Sequence, residues 1–204
     1  MTGKTKMRII PVNNSVDLEN KLYSLLDTMR TNEIQQAQTE NRDYNIHGLC
    51  AVLGYNPEQH ASYFQMPVGK DIFAKKEVYL HDPEALSALQ EAMEIDGAIL
   101  INQDGKLLHS GRYMQADFAI YNRHEDASAT YQKLRETSDA GTRHVAAVAL
   151  SAQLPELSFY TLKSDHPQLR IFKGGSIYRS TVPGEVKYAS PISQLGTLEI
   201  IPID

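Results

Sequence analysis

The chain has 204 residues, of which 42% are hydrophobic and 22% are charged, and its formal net charge is −5. This composition is typical of a single globular domain that buries its own core, and it excludes an intrinsically disordered chain. The negative charge gives no general attraction to nucleic acid, and no apolar run reaches the roughly 20 residues that span a bilayer, so we expect a cytoplasmic protein without nucleic-acid or membrane partners.

Residues 1–80 contain three predicted elements and one stretch without a clear pattern. Residues 7–12 form a candidate strand, and apolar residues recur at helical spacing over residues 16–38, which predicts an amphipathic helix. The apolar run at 48–55 predicts a buried strand, whereas residues 56–76 have no periodic pattern. We expect this N-terminal region to be either part of the same domain as the rest or an extension used in oligomerisation.

Residues 81–204 alternate between predicted helices and strands. Asp82-Pro83-Glu84 predicts a helix start in which Asp82 is the N-cap and Pro83 the first helical residue. Further along the chain we predict strands at 98–101, 106–111, 157–162, 168–172, 176–178 and 198–201, and helices at 128–138 and 142–152. This alternation predicts a single α/β domain with a mixed central β-sheet flanked by helices.

Cysteine and histidine form no metal-binding or redox motif in this sequence. The only cysteine, Cys50, lies in an apolar run, so we expect a buried and unreactive thiol. No histidine has the paired spacing of a zinc site, and we expect four of them to lie in loops or at the surface: His47, His60, His81 and His124.

The segment Gly141-Thr142-Arg143-His144 opens the predicted helix at 142–152. The free N–H groups and the positive dipole end of a helix N-terminus favour phosphate binding. Thr142 can cap the helix, Arg143 can bind phosphate oxygens in a bidentate manner, and His144 adds a donor or a second positive charge. A simple capped helix with solvated Arg143 and His144 side chains explains the same residues without a ligand.

Asp96 precedes Gly97 at the entrance of the predicted strand at 98–101. A carboxylate at this point can project into a crevice beside the sheet, where it could bind a divalent ion or accept a proton from a sugar hydroxyl. The alternative is an aspartate that ends one element and a glycine that supplies the turn into the next.

Considered together, the two segments resemble the diadenylate cyclase domain, whose signatures are Asp-Gly-Ala and Arg-His-Arg. Here they read Asp96-Gly97-Ala98 and, some 45 residues later, Gly-Thr-Arg-His-Val-Ala-Ala from Gly141 onward. The resemblance covers residues 96–175. Tyr113 matches an aromatic residue that the family places against adenine, and Lys163-Ser164-Asp165-His166 occupies the position of the family's acidic Ser-Glu-Glu turn.

The resemblance implies an enzyme that condenses two ATP molecules into cyclic di-AMP and releases two pyrophosphates. Each ribose 3′-hydroxyl attacks the α-phosphate of the other ATP, which implies a homo-oligomer with face-to-face active sites. Asp96 would bind Mg²⁺ or Mn²⁺ and help to deprotonate the hydroxyl, and Asp165 would complete the metal site. Gly97 would let the backbone approach the nucleotide, while Arg143 and His144 would hold the phosphates. The residues that the resemblance assigns to ATP binding are Ala98, Tyr113, Met114, Gly141, Thr142 and Ser164.

Three departures from the family pattern keep other interpretations open. Val145 replaces the last arginine of Arg-His-Arg, the acidic turn has one carboxylate fewer, and residues 1–80 match nothing in the family. Arg112 or Arg123 could supply the missing positive charge. One alternative is a catalytically weak or inactive regulatory protein that binds ATP or cyclic di-AMP, and another is a scaffold protein in which the match is accidental.

Overall fold

The computed structural model describes residues 15–44, 47–67, 70–137, 141–164 and 166–186. The candidate strands at 7–12 and 198–201 and the predicted metal ligand Asp165 lie outside these ranges. The α-helices are α1 (Ser15–Glu40), α2 (Pro57–His60), α3 (Ala85–Met93), α4 (Glu125–Glu136) and α5 (Thr142–Gln153). The strands are β1 (Leu49–Leu53), β2 (Phe64–Pro67), β3 (Ala98–Ile101), β4 (Leu107–Met114), β5 (Ser158–Leu162), β6 (Leu169–Lys173) and β7 (Ser176–Ser180). Short 3-10 helices cover Ala61–Tyr63 and Phe118–Asn122.

All of these strands belong to one seven-stranded sheet, in the order β2-β4-β3-β1-β5-β6-β7. The central strand β1 runs parallel to β3 and antiparallel to β5, and the other neighbouring pairs are antiparallel. Helices cover both faces of this sheet. The predicted α/β class with a mixed central sheet flanked by helices is therefore confirmed.

Alternate residues of β1 pack into apolar clusters on opposite faces of the sheet. Leu49, Ala51 and Leu53 belong to the cluster that contains residues of α1 and α3. Cys50 and Val52 belong to the cluster that contains residues of α4 and α5. Burial on both faces explains why this strand is apolar at every position instead of alternating.

Helix α1 joins the N-terminal region to the same sheet. Its side chains Leu22 and Leu26 are fully buried in the apolar cluster. The Glu19 carboxylate of α1 accepts hydrogen bonds from Ser158 Oγ at 3.0 Å and from Lys173 Nζ at 2.5 Å, so polar contacts to β5 and β6 fix the helix as well. Neither α1 nor any other helix within the described ranges is long and apolar enough to cross a bilayer.

The elements with strong apolar patterns occur where the sequence predicts them, with small shifts at their ends. Strand β4 continues to Met114, beyond the predicted end at residue 111, and α4 begins at Glu125 instead of residue 128. Residues 56–76 contain α2 and the edge strand β2, which the sequence does not indicate. Strand β2 has four residues, too few to give a recognisable alternation.

Two predictions for polar side chains near α2 and α3 are wrong. Asp82 does not cap α3, because the helix begins at Ala85 and the Asp82 carboxylate instead accepts a hydrogen bond from the backbone N–H of Tyr79 at 2.8 Å. His60 is not a surface residue: its side chain is buried, and Nδ1 accepts a hydrogen bond from the backbone N–H of Asn56 at 3.0 Å. In both cases a polar side chain stabilises a tight turn, which local sequence patterns do not reveal.

Cys50 is fully buried, as the sequence predicts. Burial raises the pKa of its thiol to about 12, because the charged thiolate is disfavoured away from water. The thiol is therefore protonated at neutral pH and is a poor nucleophile.

Candidate functional site

A cavity of about 880 Å³ lies at the edge of the sheet where β1 and β3 begin and where β4 and β5 end. This volume is within the range of small-molecule binding sites. The cavity brings together the two segments 96–97 and 141–144, which are far apart in the sequence. Its lining residues are Gly48, Asp96, Gly97, Arg112, Tyr113, Met114, Phe118, Gly141, Thr142, Arg143, His144, Ala146, Leu162, Lys163 and Ser164.

Asp96 and Gly97 form the turn into β3. Gly97 has φ +111°, and a Cβ at this position would lie 2.6 Å from the carbonyl carbon of Gly111 and 2.9 Å from the backbone nitrogen of Arg112. No other residue fits this conformation and this close contact with β4. The glycine therefore has a structural role of its own, and the turn that it permits places Asp96 at the cavity.

Arg143 and Asp96 form an ion pair at the cavity. Nη2 of Arg143 donates to Oδ1 of Asp96, while Nη1 donates to the backbone oxygen of Gly48 at 2.6 Å. A Cβ on Gly48 would lie 2.6 Å from Nη1, so the absence of a side chain there makes room for the guanidinium group. The hydrogen bond from Arg143 lowers the pKa of Asp96, and the carboxylate is therefore ionised at neutral pH.

Helix α5 begins at Thr142, and Gly141 occupies the N-cap position. The predicted capping role of Thr142 is therefore wrong, because a side-chain oxygen caps a helix from the N-cap and not from the first helical position. The first turn is closed by the backbone N–H of His144, which donates to the oxygen of Gly141 at 3.0 Å. The N–H groups of Thr142 and Arg143 precede that bond, and both residues line the cavity.

His144 stands between the cavity and the core. Its side chain is buried, and its ring meets Phe172 edge to face with a centroid distance of 6.2 Å. A Cβ on Gly141 would lie 3.9 Å from Nδ1 of His144, so this ring nitrogen is close to the helix N-terminus. A buried ring at this position can orient a ligand that binds at the N-terminus of α5, but it does not extend into solvent.

Most of the other predicted ATP-binding residues also line the cavity. Tyr113, Met114 and Ser164 do so from the end of β4 and the segment after β5, and the Tyr113 side chain is 58% exposed. Met114 also contacts the core, since its Sδ lies 3.6 Å from Sγ of Cys50. Ala98 differs from this group: it is fully buried in β3 within the cluster that α4 and α5 cover, and it does not line the cavity.

The cavity also contains residues that sequence reasoning did not assign to a site. Gly48 directly precedes a buried strand, where a glycine often marks the close approach of another group, and this is the signal that could have identified it. Lys163 precedes Ser164 in the segment that resembles the family's acidic turn. Phe118 carries no sequence signal, because its place depends on how the chain returns across the sheet after β4.

The two arginines that could replace the charge missing at Val145 have different positions. Arg112 lines the cavity, and its Nη2 lies 3.2 Å from Oδ2 of Asp71 and 2.8 Å from Nδ1 of His109. Arg123 does not line the cavity, and its guanidinium group is paired with the Asp117 carboxylate at 2.5 Å. Of the two, Arg112 is therefore nearer to the predicted phosphate site, although its guanidinium group is already engaged.

Asp96 is the one carboxylate among the cavity-lining residues that the structure describes, and Asp165 is outside its ranges. Those ranges contain no group of three or more potential metal ligands. Mg²⁺ is commonly held by one or two protein carboxylates together with substrate phosphates, instead of by a complete protein cage. An ionised carboxylate beside a helix N-terminus fits a metal ion that arrives with a nucleotide.

No protein-family model matches this chain, and a search of curated proteins found no significant match.

Proposed function

We propose that the protein is a diadenylate cyclase, which joins two ATP molecules into cyclic di-AMP with the release of two pyrophosphates. The observation that carries the proposal is the meeting of the two signature segments at one cavity, where Asp96 contacts Arg143. The sequence resemblance alone does not require the two segments to be neighbours in space. Their contact supports a common site for a sugar hydroxyl and a phosphate.

In the proposed reaction, the cavity binds the triphosphate and positions the ribose. The N–H groups of Thr142 and Arg143 donate to phosphate oxygens at the positive end of α5, and the guanidinium group of Arg143 adds a charged contact. Mg²⁺ or Mn²⁺, when bound by Asp96 and the phosphates, would neutralise charge that develops at the α-phosphate. The nearby Nδ1 of His144 would orient a phosphate oxygen.

Asp96 also takes up the proton of the ribose 3′-hydroxyl. The 3′-oxygen forms a bond to the α-phosphorus of the second ATP, and the bond between that phosphorus and the bridging oxygen of pyrophosphate breaks. Most of the acceleration comes from orientation of the two nucleotides and from stabilisation of charge. Arg143 holds Asp96 in the structure, so binding of the triphosphate requires the guanidinium group to share or exchange this contact.

The product requires two sites, because each nucleotide is attacked once and attacks once. One chain supplies one Asp96 and one N-terminus of α5 at the cavity. The simplest arrangement is a two-fold contact that brings two cavities face to face. Specific activity should therefore fall on dilution, in parallel with the loss of oligomer measured by light scattering. A monomer with a constant rate per molecule would contradict the two-site reaction.

The direct test is incubation of the purified protein with ATP and Mn²⁺, followed by chromatographic detection of cyclic di-AMP. Product formation that Asp96→Asn abolishes supports the proposal. Stoichiometric ATP binding without product supports a second candidate, a regulatory nucleotide-binding protein. The Asp96–Arg143 ion pair and Val145 favour that candidate, since both reduce the positive charge available to a phosphate. The absence of both binding and turnover would exclude the two functions together.

A further inference from the structure

Three aromatic rings stack in a column that leads from α4 to the cavity. Tyr131 of α4 stacks on Tyr121 with a centroid distance of 4.4 Å and an interplanar angle of 14°. Tyr121 in turn stacks on Phe118 at 6.4 Å and 20°. At the far end, the guanidinium carbon of Arg135 lies 5.6 Å from the Tyr131 ring centroid. Phe118 is the terminal ring of the column and lines the cavity.

The short 3-10 helix that carries Phe118 is fastened to α5 and capped at its start. The hydroxyl of Tyr121 donates to the backbone oxygen of Val145 in the first turn of α5 at 2.5 Å. The Asp117 carboxylate accepts from the N–H of Ala119 at 2.9 Å, and Gln153 Nε2 donates to the backbone oxygen of Asp117 at 3.2 Å. These contacts fix the position of Phe118 relative to the N-terminus of α5.

Despite this support, the Phe118 side chain remains 49% exposed. Its ring stacks on Tyr121, and Phe118 also lines the cavity, so the exposed part of the residue is accessible to a ligand there. Tyr113, which is also largely exposed, lines the same cavity from the end of β4. A partly exposed aromatic ring on a fixed backbone is the kind of surface on which nucleobases stack.

We infer that Phe118 is a substrate-binding residue that stacks on the purine base of the nucleotide. The bound base extends the aromatic column by one member and adds a second aromatic contact to the one proposed for Tyr113. The inference rests on the proposed function, because it assumes that the cavity receives a nucleotide. It assigns the base to the side of the cavity that the 3-10 helix forms, while the phosphates lie at the N-terminus of α5.

A tryptophan at this position provides a test, because the chain contains no tryptophan. In Phe118→Trp the introduced indole is the sole tryptophan, and we expect adenosine and ATP to quench its fluorescence in a saturable manner. Sodium triphosphate, which has no base, should leave the fluorescence unchanged. Tyr178→Trp is the matched control, since Tyr178 lies on β7, is 41% exposed and does not line the cavity. Its fluorescence should not respond to any of the three probes.

Calorimetry on Phe118→Leu gives an independent measure, since leucine keeps an apolar contact with Tyr121 but has no aromatic face. The Kd values of adenosine and ATP should both rise roughly tenfold, and the Kd of triphosphate should not change. Unchanged adenosine and ATP binding would overturn the inference and leave the proposed function intact. A loss of affinity for triphosphate as large as that for ATP would also overturn it. If the wild-type protein binds no ATP, both the inference and the proposed function are wrong.

Discussion

Two arginine–carboxylate pairs in this molecule differ in their surroundings. Arg170 on β6 and Glu185 have side-chain exposures of 0% and 6%, and Nε and Nη2 of Arg170 donate to the two carboxylate oxygens at 2.8 and 2.6 Å. Arg143 and Asp96 at the cavity have exposures of 34% and 72%. The first pair is enclosed by protein, and the second faces a space that a ligand can enter.

The difference shows that similar chemical groups can stabilise a fold or remain available for binding. Glu185 also accepts a hydrogen bond from Ser180 Oγ at 2.5 Å, and its backbone oxygen accepts one from Lys133 Nζ at 2.7 Å, so the pair connects the segment after β7 to β6 and α4. Loss of either charge would leave the other buried without compensation. Water can replace either partner of the exposed pair, and a phosphate can replace the carboxylate, so we expect the pair to contribute little to stability.

The largest expected effect is on the buried pair. Glu185→Gln should lower the free energy of unfolding by about 3–5 kcal/mol, because the charge of Arg170 is then buried without its carboxylate. Urea denaturation followed by circular dichroism measures this loss. The double variant Arg170→Met/Glu185→Leu should recover most of the stability, because it removes both charges. A loss below about 1 kcal/mol for Glu185→Gln would show that the pair behaves like an exposed one.

Loss of the carboxylate from the exposed pair should reduce activity and leave stability nearly unchanged. Asp96→Asn should reduce the rate of cyclic di-AMP formation by at least roughly 100-fold, since an amide is a poor base and a weak metal ligand. Its free energy of unfolding should stay within about 1 kcal/mol of wild type. Asp27→Asn is the matched control, because Asp27 pairs with Arg30 on α1, and it should retain full activity. Turnover of Asp96→Asn within a few-fold of wild type would exclude the catalytic role.

The other member of the exposed pair should act on binding. Arg143→Ala should weaken ATP binding by about 1.5–3 kcal/mol, the range for hydrogen bonds that involve charged groups. Adenosine has no phosphates and should bind the variant and the wild type equally, as measured by isothermal titration calorimetry. Arg30→Ala provides the control for loss of an arginine outside the cavity. An equal loss for both ligands would indicate a damaged cavity instead of a missing phosphate contact.

The smallest expected effect is a difference between variants and wild type in how the free energy of unfolding changes at low pH. Burial acts to raise the pKa of Glu185, but hydrogen bonds from Arg170 and Ser180 outweigh it and hold the pKa below the ordinary value of 4.5. A pKa lowered in the folded state adds stability above the unfolded-state pKa, and this stability is lost as the pH falls through the folded-state pKa. Below about pH 4.5, Glu185→Gln should therefore lose less stability than wild type does.

Asp96 provides the comparison for this pH experiment. Its pKa is also lowered, by the hydrogen bond from Arg143, but its carboxylate is largely exposed. Solvent screens this ion pair, so Asp96→Asn should differ from the wild-type dependence of stability on pH by less than Glu185→Gln does. If the free energy of unfolding changes in parallel for all three proteins between neutral pH and pH 3, the buried pair does not have the proposed stabilising role.

The sequence predicted those parts of the fold whose signals are local. Strand β1 is apolar at every position, and α1 has a helical apolar repeat, so both appear near their predicted ranges. Strand β2 was missed because a four-residue edge strand depends on its pairing with β4 more than on its own residues. Asp82 and Thr142 were misplaced as helix caps because a shift of one or two residues decides which group occupies the N-cap.

In the candidate site, too, the sequence predicted residues with local motifs but not the contacts between distant segments. Asp96 and Arg143 were selected from short motifs, and the structure brings them into contact. The bond between Arg143 and Gly48 joins residues from distant parts of the chain, and no local pattern encodes it. The orientation of Phe118 likewise follows from stacking on Tyr121, whose own position depends on α4 and α5. Such contacts are set by the assembled fold.

The central place of β1 in the sheet has a consequence for how a newly made chain folds. Cys50 of β1 pairs with Ala98 of β3, but Val52 pairs with Phe159 of β5, more than a hundred residues further along the chain. During synthesis β1 leaves the ribosome long before β5 does. The edge of β1 that pairs with β5 therefore stays unpaired until β5 has been made. Contacts over such long separations slow folding. The nascent chain therefore exposes an aggregation-prone strand until β5 docks, and formation of the β1–β5 ladder closes that period.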